Sequence, residues 1–188
     1  ARGTVNGVNV TRSGPDHQRG YVWNVTFVAD VGNIGAIERL GVPAMHLHDA
    51  GQGFRNPLGG EPDEIRATES QVTAWPSTLA VAATWDASLV RRWGEALGDE
   101  FKAKGANVIL GPGVQVHRVA QGGRNAEYLS GEEPYLGAML VPSYVQGVQS
   151  KGVAAVAKHL ALNAQETGRH EISSDAAERT LWEVYYPP

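Results

Sequence analysis

Four side chains lie where chemistry is usually placed in an alternating strand-and-helix chain: Asp49, Arg124, Lys158 and His159. The run Val153-Ala154-Ala155-Val156-Ala157 is apolar throughout, as in a parallel strand covered by helices on both sides, and Lys158-His159 ends it. Within Leu40-Gly41-Val42-Pro43-Ala44-Met45-His46-Leu47-His48-Asp49 a second, short strand begins at Pro43 and ends in Asp49; Arg124 lies downstream of a third, the buried run Ala106 to Pro112. In parallel α/β folds the carboxyl ends of strands are where ligands bind. An acid, a guanidinium, an ammonium and an imidazole together suit a ligand rich in hydroxyls, since the carboxylate accepts from OH groups and the cations donate to oxygens. A metal is less suited: His46 and His48 alternate on a strand and point to opposite faces.

Each residue also has a plain structural reading. Lys158 could snorkel to the surface beside a core His, Arg124 could pair with Glu127 three residues on, and Asp49 could serve only as a turn residue. The Gly-rich loop from Asp49 to Arg55 continues through Pro57, Gly59, Gly60 and Pro62. It lacks both the Lys-Ser/Thr of a P-loop and the spacing of a dinucleotide fingerprint, so nucleotide binding is set aside.

The elements that must position these groups follow from periodicity. Asp86 is placed to cap a helix running to about Lys104, with Leu89, Val90, Trp93, Leu97 and Phe101 on one face and Gly105 ending it. Pro76 keeps Trp75 extended. A second helix is expected from about Pro134 to Gln149, with a kink or break at Pro142, and a third from Asp175 to Tyr186 after a polar loop. Residues 1–32 differ in texture. Val8 and Val10, then Tyr21, Trp23, Val25 and Phe27, alternate around a Ser13-Gly14-Pro15-Asp16 turn, which is a hairpin signature.

The chain has 188 residues, no Cys and a formal net charge of -4, without a long basic run. That balance argues against a general nucleic-acid or anionic-membrane surface, and the missing Cys excludes disulfides, thiolate metal sites and a Cys nucleophile. No apolar stretch reaches membrane-spanning length. Two glycosylation sequons, at Asn9 and Asn24, carry little weight by themselves. A secreted or periplasmic setting is expected, although this chain itself contains no signal peptide.

Residues from about Gly32 to Pro188 resemble the N-terminal catalytic domain of glycoside hydrolase family 3, the β-glucosidases and related exo-acting enzymes. The resemblance rests on Arg39 to Ala44, Asp49 to Arg55, Leu79 to Asp86, Gly122-Gly123-Arg124-Asn125-Ala126-Glu127, Ala157-Lys158-His159, and Asn163 to Thr167, in that order. It implies that Asp49, Arg124, Lys158 and His159 hold the sugar of the first subsite, joined by Arg55, with no metal and no cofactor. It also implies a small saccharide or β-glucoside as substrate, a glucoside being the first choice. Three positions depart from the family pattern: Ala50 replaces a usual Gly, Ala126 a common aromatic, and Ala164 a common Glu.

A retaining glycosidase needs a nucleophile and an acid/base carboxyl. The family's nucleophile lies in a Ser-Asp-aromatic tripeptide, and none follows Lys158-His159; Ser174-Asp175 is followed by Ala176. A (β/α)8 barrel takes about 250 residues, and this chain offers about four strand candidates. The expected architecture is therefore α/β: residues 33–188 as about the first half of a TIM-like barrel, preceded by residues 1–32 as a β-rich remnant of a different module. Catalytic carboxylates are expected to lie outside the chain, and the isolated fragment to be inactive. A non-catalytic carbohydrate-binding or interaction protein with a degenerate barrel is the alternative.

Overall fold

The computed structural model describes residues 8–12, 23–27, 33–34, 41, 43–49, 51–55 and 72–188. The Ser13–Asp16 turn, Tyr21, Arg39, Ala50 and the loop through Pro57, Gly59, Gly60 and Pro62 lie outside the described residues. The chain divides into two units, Ala1–His46 and Leu47–Pro188. In the first, strands β1 (Val8–Arg12) and β2 (Trp23–Phe27) pair antiparallel with Val10 opposite Val25. That is the hairpin foreseen from the alternation. Strand β3 (Asn33–Ile34) pairs antiparallel with Met45 and His46, the first half of β4 (Met45–His48).

In the second unit the end of β4 runs parallel to β5 (Val108–Ile109), which runs parallel to β6 (Ala154–Ala155). Two crossovers join them. The first contains helices α1 (Thr78–Ala82) and α2 (Ala87–Ala103), the second α3 (Pro134–Ser150). This is a small parallel sheet with helices, an α/β arrangement. Helix α2 starts where the sequence places it, because the Asp86 carboxylate accepts from the amides of Ser88 and Leu89 at 2.9 and 3.0 Å. It stops because Gly105 takes φ +82. Val90, Leu97 and Phe101 are fully enclosed and form a core with Leu140, Tyr144 and Val148 of α3.

Some expectations change. The apolar run 153–157 forms only a two-residue strand, and its burial is one-sided: Val153 is enclosed while Val156 is 43 % exposed. Among the described residues β6 is the sheet edge, so no strand lies beyond it to cover that side. Helix α3 passes through Pro142 without a break. Pro142 is exposed, and the packed face of Leu140, Val141 and Tyr144 holds the turn that loses a backbone donor. The last helix is shorter than expected: Asp175–Ala177 are not helical, and a single turn α4 (Glu178–Thr180) passes into a π-turn over Leu181–Tyr185. Helix α1 was not foreseen; Ser77 caps it, its Oγ accepting from the amide of Ala80 at 3.2 Å.

Helices α2 and α3 cross at Gly94 and Gly147. A Cβ on Gly147 would lie 2.9 Å from the amide nitrogen of Glu95 and still closer to the carbonyl of Arg91. Helical Gly→Ala ordinarily stabilises by about 0.5–1 kcal/mol, whereas overpacking costs about 1–3 kcal/mol, so the sign is diagnostic. Gly147→Ala should lower the thermal midpoint; an unchanged or raised midpoint would show that the backbones are not in close contact.

Candidate functional site

The carboxyl ends of β4 and β6 bring Asp49 and Lys158 together. Lys158 Nζ donates to Asp49 Oδ1 at 2.8 Å, and the Arg55 guanidinium reaches Oδ2 at 3.3 Å. The Lys158 side chain is 13 % exposed, so it does not snorkel into solvent; its ammonium is paired across the sheet. Backbone bonds fix its position, Lys158 N–H donating to Pro112 O at 2.9 Å and Val114 N–H donating to Lys158 O at 2.6 Å. Gly113, between those partners, bridges both Lys158 and Tyr128. A Cβ there would lie 2.9 Å from the Tyr128 ring, so a glycine lets the two segments close on one point. On the other side, the fully buried Tyr144 of α3 donates its hydroxyl to Gly51 O at 2.7 Å, anchoring the loop that follows Asp49.

Arg124 lies between carboxylates, 2.6 Å from Glu127 and 3.4 Å from Glu166, and Glu166 is shared with Arg169 at 3.5 Å. The ion pair with Glu127 considered from sequence is therefore present, with a second carboxylate added to it. Burial works against the Arg124 charge, but Glu127, Tyr128 and Glu166 outweigh it and hold its pKa above the ordinary value. His159 stands between the clusters, within electrostatic reach of Arg124, Lys158, Arg169 and Asp49. Its Nδ1 is 3.0 Å from the Tyr128 hydroxyl, whose longer contact goes to Asn163 O at 3.4 Å. Burial above all pushes the Tyr128 pKa up to about 12, so this hydroxyl keeps its proton. When it donates that proton to Nδ1, the imidazole carries its own on Nε2.

All five sequence-derived residues thus fall in the second unit, with Asp49, Arg55 and Lys158 in direct contact and Arg124 and His159 coupled through Tyr128 and charge. Tyr128, Glu166 and Arg169 complete the arrangement and were not singled out as site residues. Tyr128 follows the Gly122–Glu127 motif directly, and Glu166 lies inside a quoted motif, but no spacing rule joins either to Arg124 or His159 before folding. A cavity of about 460 Å³ opens beside His159, with Asn163, Arg169, His170 and Ser174 in its wall. Four cations and three carboxylates here neutralise one another nearly completely, which suits a neutral polyhydroxyl ligand better than an anion. No group of three or more potential metal ligands occurs among the described residues.

The charge layout fixes a pH response. Burial, then the positive charges of Arg124, Lys158 and Arg169, lower the His159 pKa from 6.5 to about 4, with Asp49 opposing. The folded state disfavours the protonated ring, so well above 6.5 the ionisation of His159 leaves stability unchanged. As pH falls from 6.5 through about 4 the unfolded chain binds the proton first and stability declines. His159→Gln should flatten that part of the acid limb in denaturation curves. An NMR titration midpoint for His159 near 6.5 instead of about 4 would contradict the buried, cation-flanked setting.

Comparison with known proteins places this geometry in a family. Residues 31–188 match the family model of the glycosyl hydrolase family 3 N terminal domain. A β-glucosidase of Rhizobium radiobacter is 45% identical over 160 residues, covering 85% of this chain and 19% of the relative; a thermostable β-glucosidase B of Acetivibrio thermocellus is 42% identical over 80% of the chain and 20% of its own length. The structure of β-glucosidase 3B from Thermotoga neapolitana in complex with α-D-glucose superposes with a TM-score of 0.72 at 37% identity, over 84% of this chain and 22% of that one. The chain spans about a fifth of the length of the curated relatives it matches. By its motifs and by the matched span, the chain belongs to the glycosyl hydrolase family 3 N-terminal domain family.

Proposed function

We propose that the whole protein hydrolyses terminal β-glycosidic bonds with retention, and that this chain supplies the part of the sugar subsite built from Asp49, Arg55, Arg124, Lys158 and His159. The observation that carries the proposal is the Asp49 carboxylate held by Lys158 at 2.8 Å and Arg55 at 3.3 Å. A carboxylate offers about four acceptor positions, so two cations orient it and leave room for sugar hydroxyls. The neutral His159 and the Lys158 and Arg55 donors surround it, and such contacts assist catalysis when they tighten as the ring flattens toward an oxocarbenium-like transition state.

Asp49, Glu127 and Glu166 are each neutralised by a neighbouring cation. That favours holding hydroxyls over attacking an anomeric carbon, so we assign the nucleophile and the acid/base to other parts of the whole protein. The absence of a Ser-Asp-aromatic tripeptide after Lys158-His159 fits that assignment. We further assign residues 33–188 to about the first half of a (β/α)8 barrel, and residues 1–32 to a separate β-rich module. Support comes from the parallel β4–β5–β6 order and from exposed Val156, Leu160, Trp182 and Tyr186 near the sheet edge, which suit coverage by further barrel elements. A β-glucoside is the favoured substrate; an exo-α-(1→6)-L-arabinopyranosidase of Bifidobacterium longum, 35% identical over 87% of the chain, shows that relatives also take other sugars.

Loss of hydrogen bonds to a charged partner costs about 1.5–3 kcal/mol each, so Asp49→Ala in the whole protein should lower kcat/KM on 4-nitrophenyl β-glucoside by about 100-fold or more. Lys158→Met should act in the same direction. The 188-residue chain alone should show no turnover above a buffer blank. Whole protein that binds glucose yet never turns over the glucoside would favour a sugar-binding protein without catalysis, and turnover unaffected by Asp49→Ala would remove Asp49 from the site.

A further inference from the structure

Tyr128 belongs to no ion pair, yet the backbone fixes it within the site. It is 2 % exposed, its amide donates to Asn125 O at 3.2 Å, and the next amide, that of Leu129, donates to Gly113 O at 2.8 Å. Gly113 bridges both Tyr128 and Lys158, so the segment that carries the phenol lies in register with the segment that carries Lys158 and His159. The phenol ring packs edge-to-face with His117 and with His159, their centroids 5.8 and 5.9 Å from its own. A ring enclosed this way has little freedom, and its hydroxyl meets His159 Nδ1 at 3.0 Å.

The hydroxyl carries one proton and has two neighbours able to accept it, His159 Nδ1 at 3.0 Å and Asn163 O at 3.4 Å. The choice between them sets the imidazole. A proton given to Nδ1 leaves the ring's own proton on Nε2, which is then a donor; a proton given to Asn163 makes the hydroxyl an acceptor for Nδ1–H and leaves Nε2 an acceptor. Hydroxyl-to-oxygen bonds run about 2.5–3.0 Å, and the Asn163 contact lies beyond that range. Distance therefore favours donation to Nδ1. Burial, with Arg124, Lys158 and Arg169 adding to it, keeps the ring uncharged near neutral pH, so its tautomer decides what it offers a ligand. Nε2 is the nitrogen left for that purpose, and His159 lines the cavity of about 460 Å³.

We propose that Tyr128 is a positioning residue: by donating to Nδ1 it holds His159 in the Nε2–H tautomer, so that the ring presents a fixed donor to a hydroxyl oxygen of the ligand. The assignment rests on the sugar-binding reading of Asp49 and His159. It divides the work of the site, with the Asp49 carboxylate accepting from hydroxyl groups and His159 donating to them, and Tyr128 acting only through the imidazole.

The test is a double-mutant cycle in the whole protein, read as kcat/KM on 4-nitrophenyl β-glucoside. Tyr128→Phe should lower kcat/KM by about fivefold to tenfold, and should cause no further loss when added to His159→Ala, because its effect passes through the imidazole. A merely structural role would cost the same in both backgrounds. The tautomer is read without any change at Tyr128, by NMR of the unsubstituted protein labelled with 15N-histidine, the His159 signals being assigned by their disappearance in His159→Ala. The expected spectrum has Nε2 protonated and Nδ1 bare. A protonated Nδ1, an unchanged kcat/KM in Tyr128→Phe, or a loss that persists undiminished in the His159→Ala background overturns the role of Tyr128 alone. Neither glucose binding nor glucoside turnover in the unsubstituted protein overturns the sugar-binding reading and the role of Tyr128 with it.

Discussion

One ion pair joins the ends of the sheet: Lys158 to Asp49, 2.8 Å apart in space and 109 positions apart in sequence. Its value is not chiefly energetic. The carboxylate is 43% exposed, and a pair so open to solvent contributes about 0–1 kcal/mol. What it provides is position. The parallel register that sets Leu47 against Val108, and Val108 against Ala154, brings both side chains to the same end of the sheet. The backbone bonds from Lys158 to Pro112 and Val114 fix the point at which its side chain leaves the main chain. An ammonium enclosed to 13% exposure needs an anion, and Asp49 is the one in contact.

The remaining charges are arranged around that pair so that none is left alone. Arg124 is held by Glu127 and Glu166, and Glu166 in turn by Arg169. Burial above all keeps His159 neutral, and the neighbouring cations add to it. A site built this way presents many donors and acceptors with little net charge. That is an environment suited to neutral hydroxyl groups, which need not compensate a strong field.

Side chains far from the charges hold the frame. Tyr144, fully buried in the second long helix, ties that helix to the loop after Asp49, and Glu100 ties the first long helix to Thr73 and Trp75. The close crossing at Gly94 and Gly147 allows both helices to lie against the same sheet, so the two anchors act from a common support. Displacing either helix would move the loops that carry Arg55 and Trp75.

The sequence alone determined the helix from Ala87 to Ala103, because its cap, apolar period and terminating glycine are all local signals. It also determined that Asp49, Arg124, Lys158 and His159 lie at or beyond strand ends, because a break in an apolar run is read directly from residue order. The motif order carried the family resemblance for the same reason. Tertiary structure decided which of these groups touch. Lys158 chose Asp49 over solvent, Arg124 gained Glu166 besides its near neighbour Glu127, and Tyr128 came to face His159. It also decided that the run after Gly152 is covered on one side only and that Pro142 leaves its helix whole, since both depend on what packs nearby. Periodicity reports which face of an element is apolar; only the packed chain supplies the partner across a hundred residues, because contact depends on register and crossing, which no local pattern encodes.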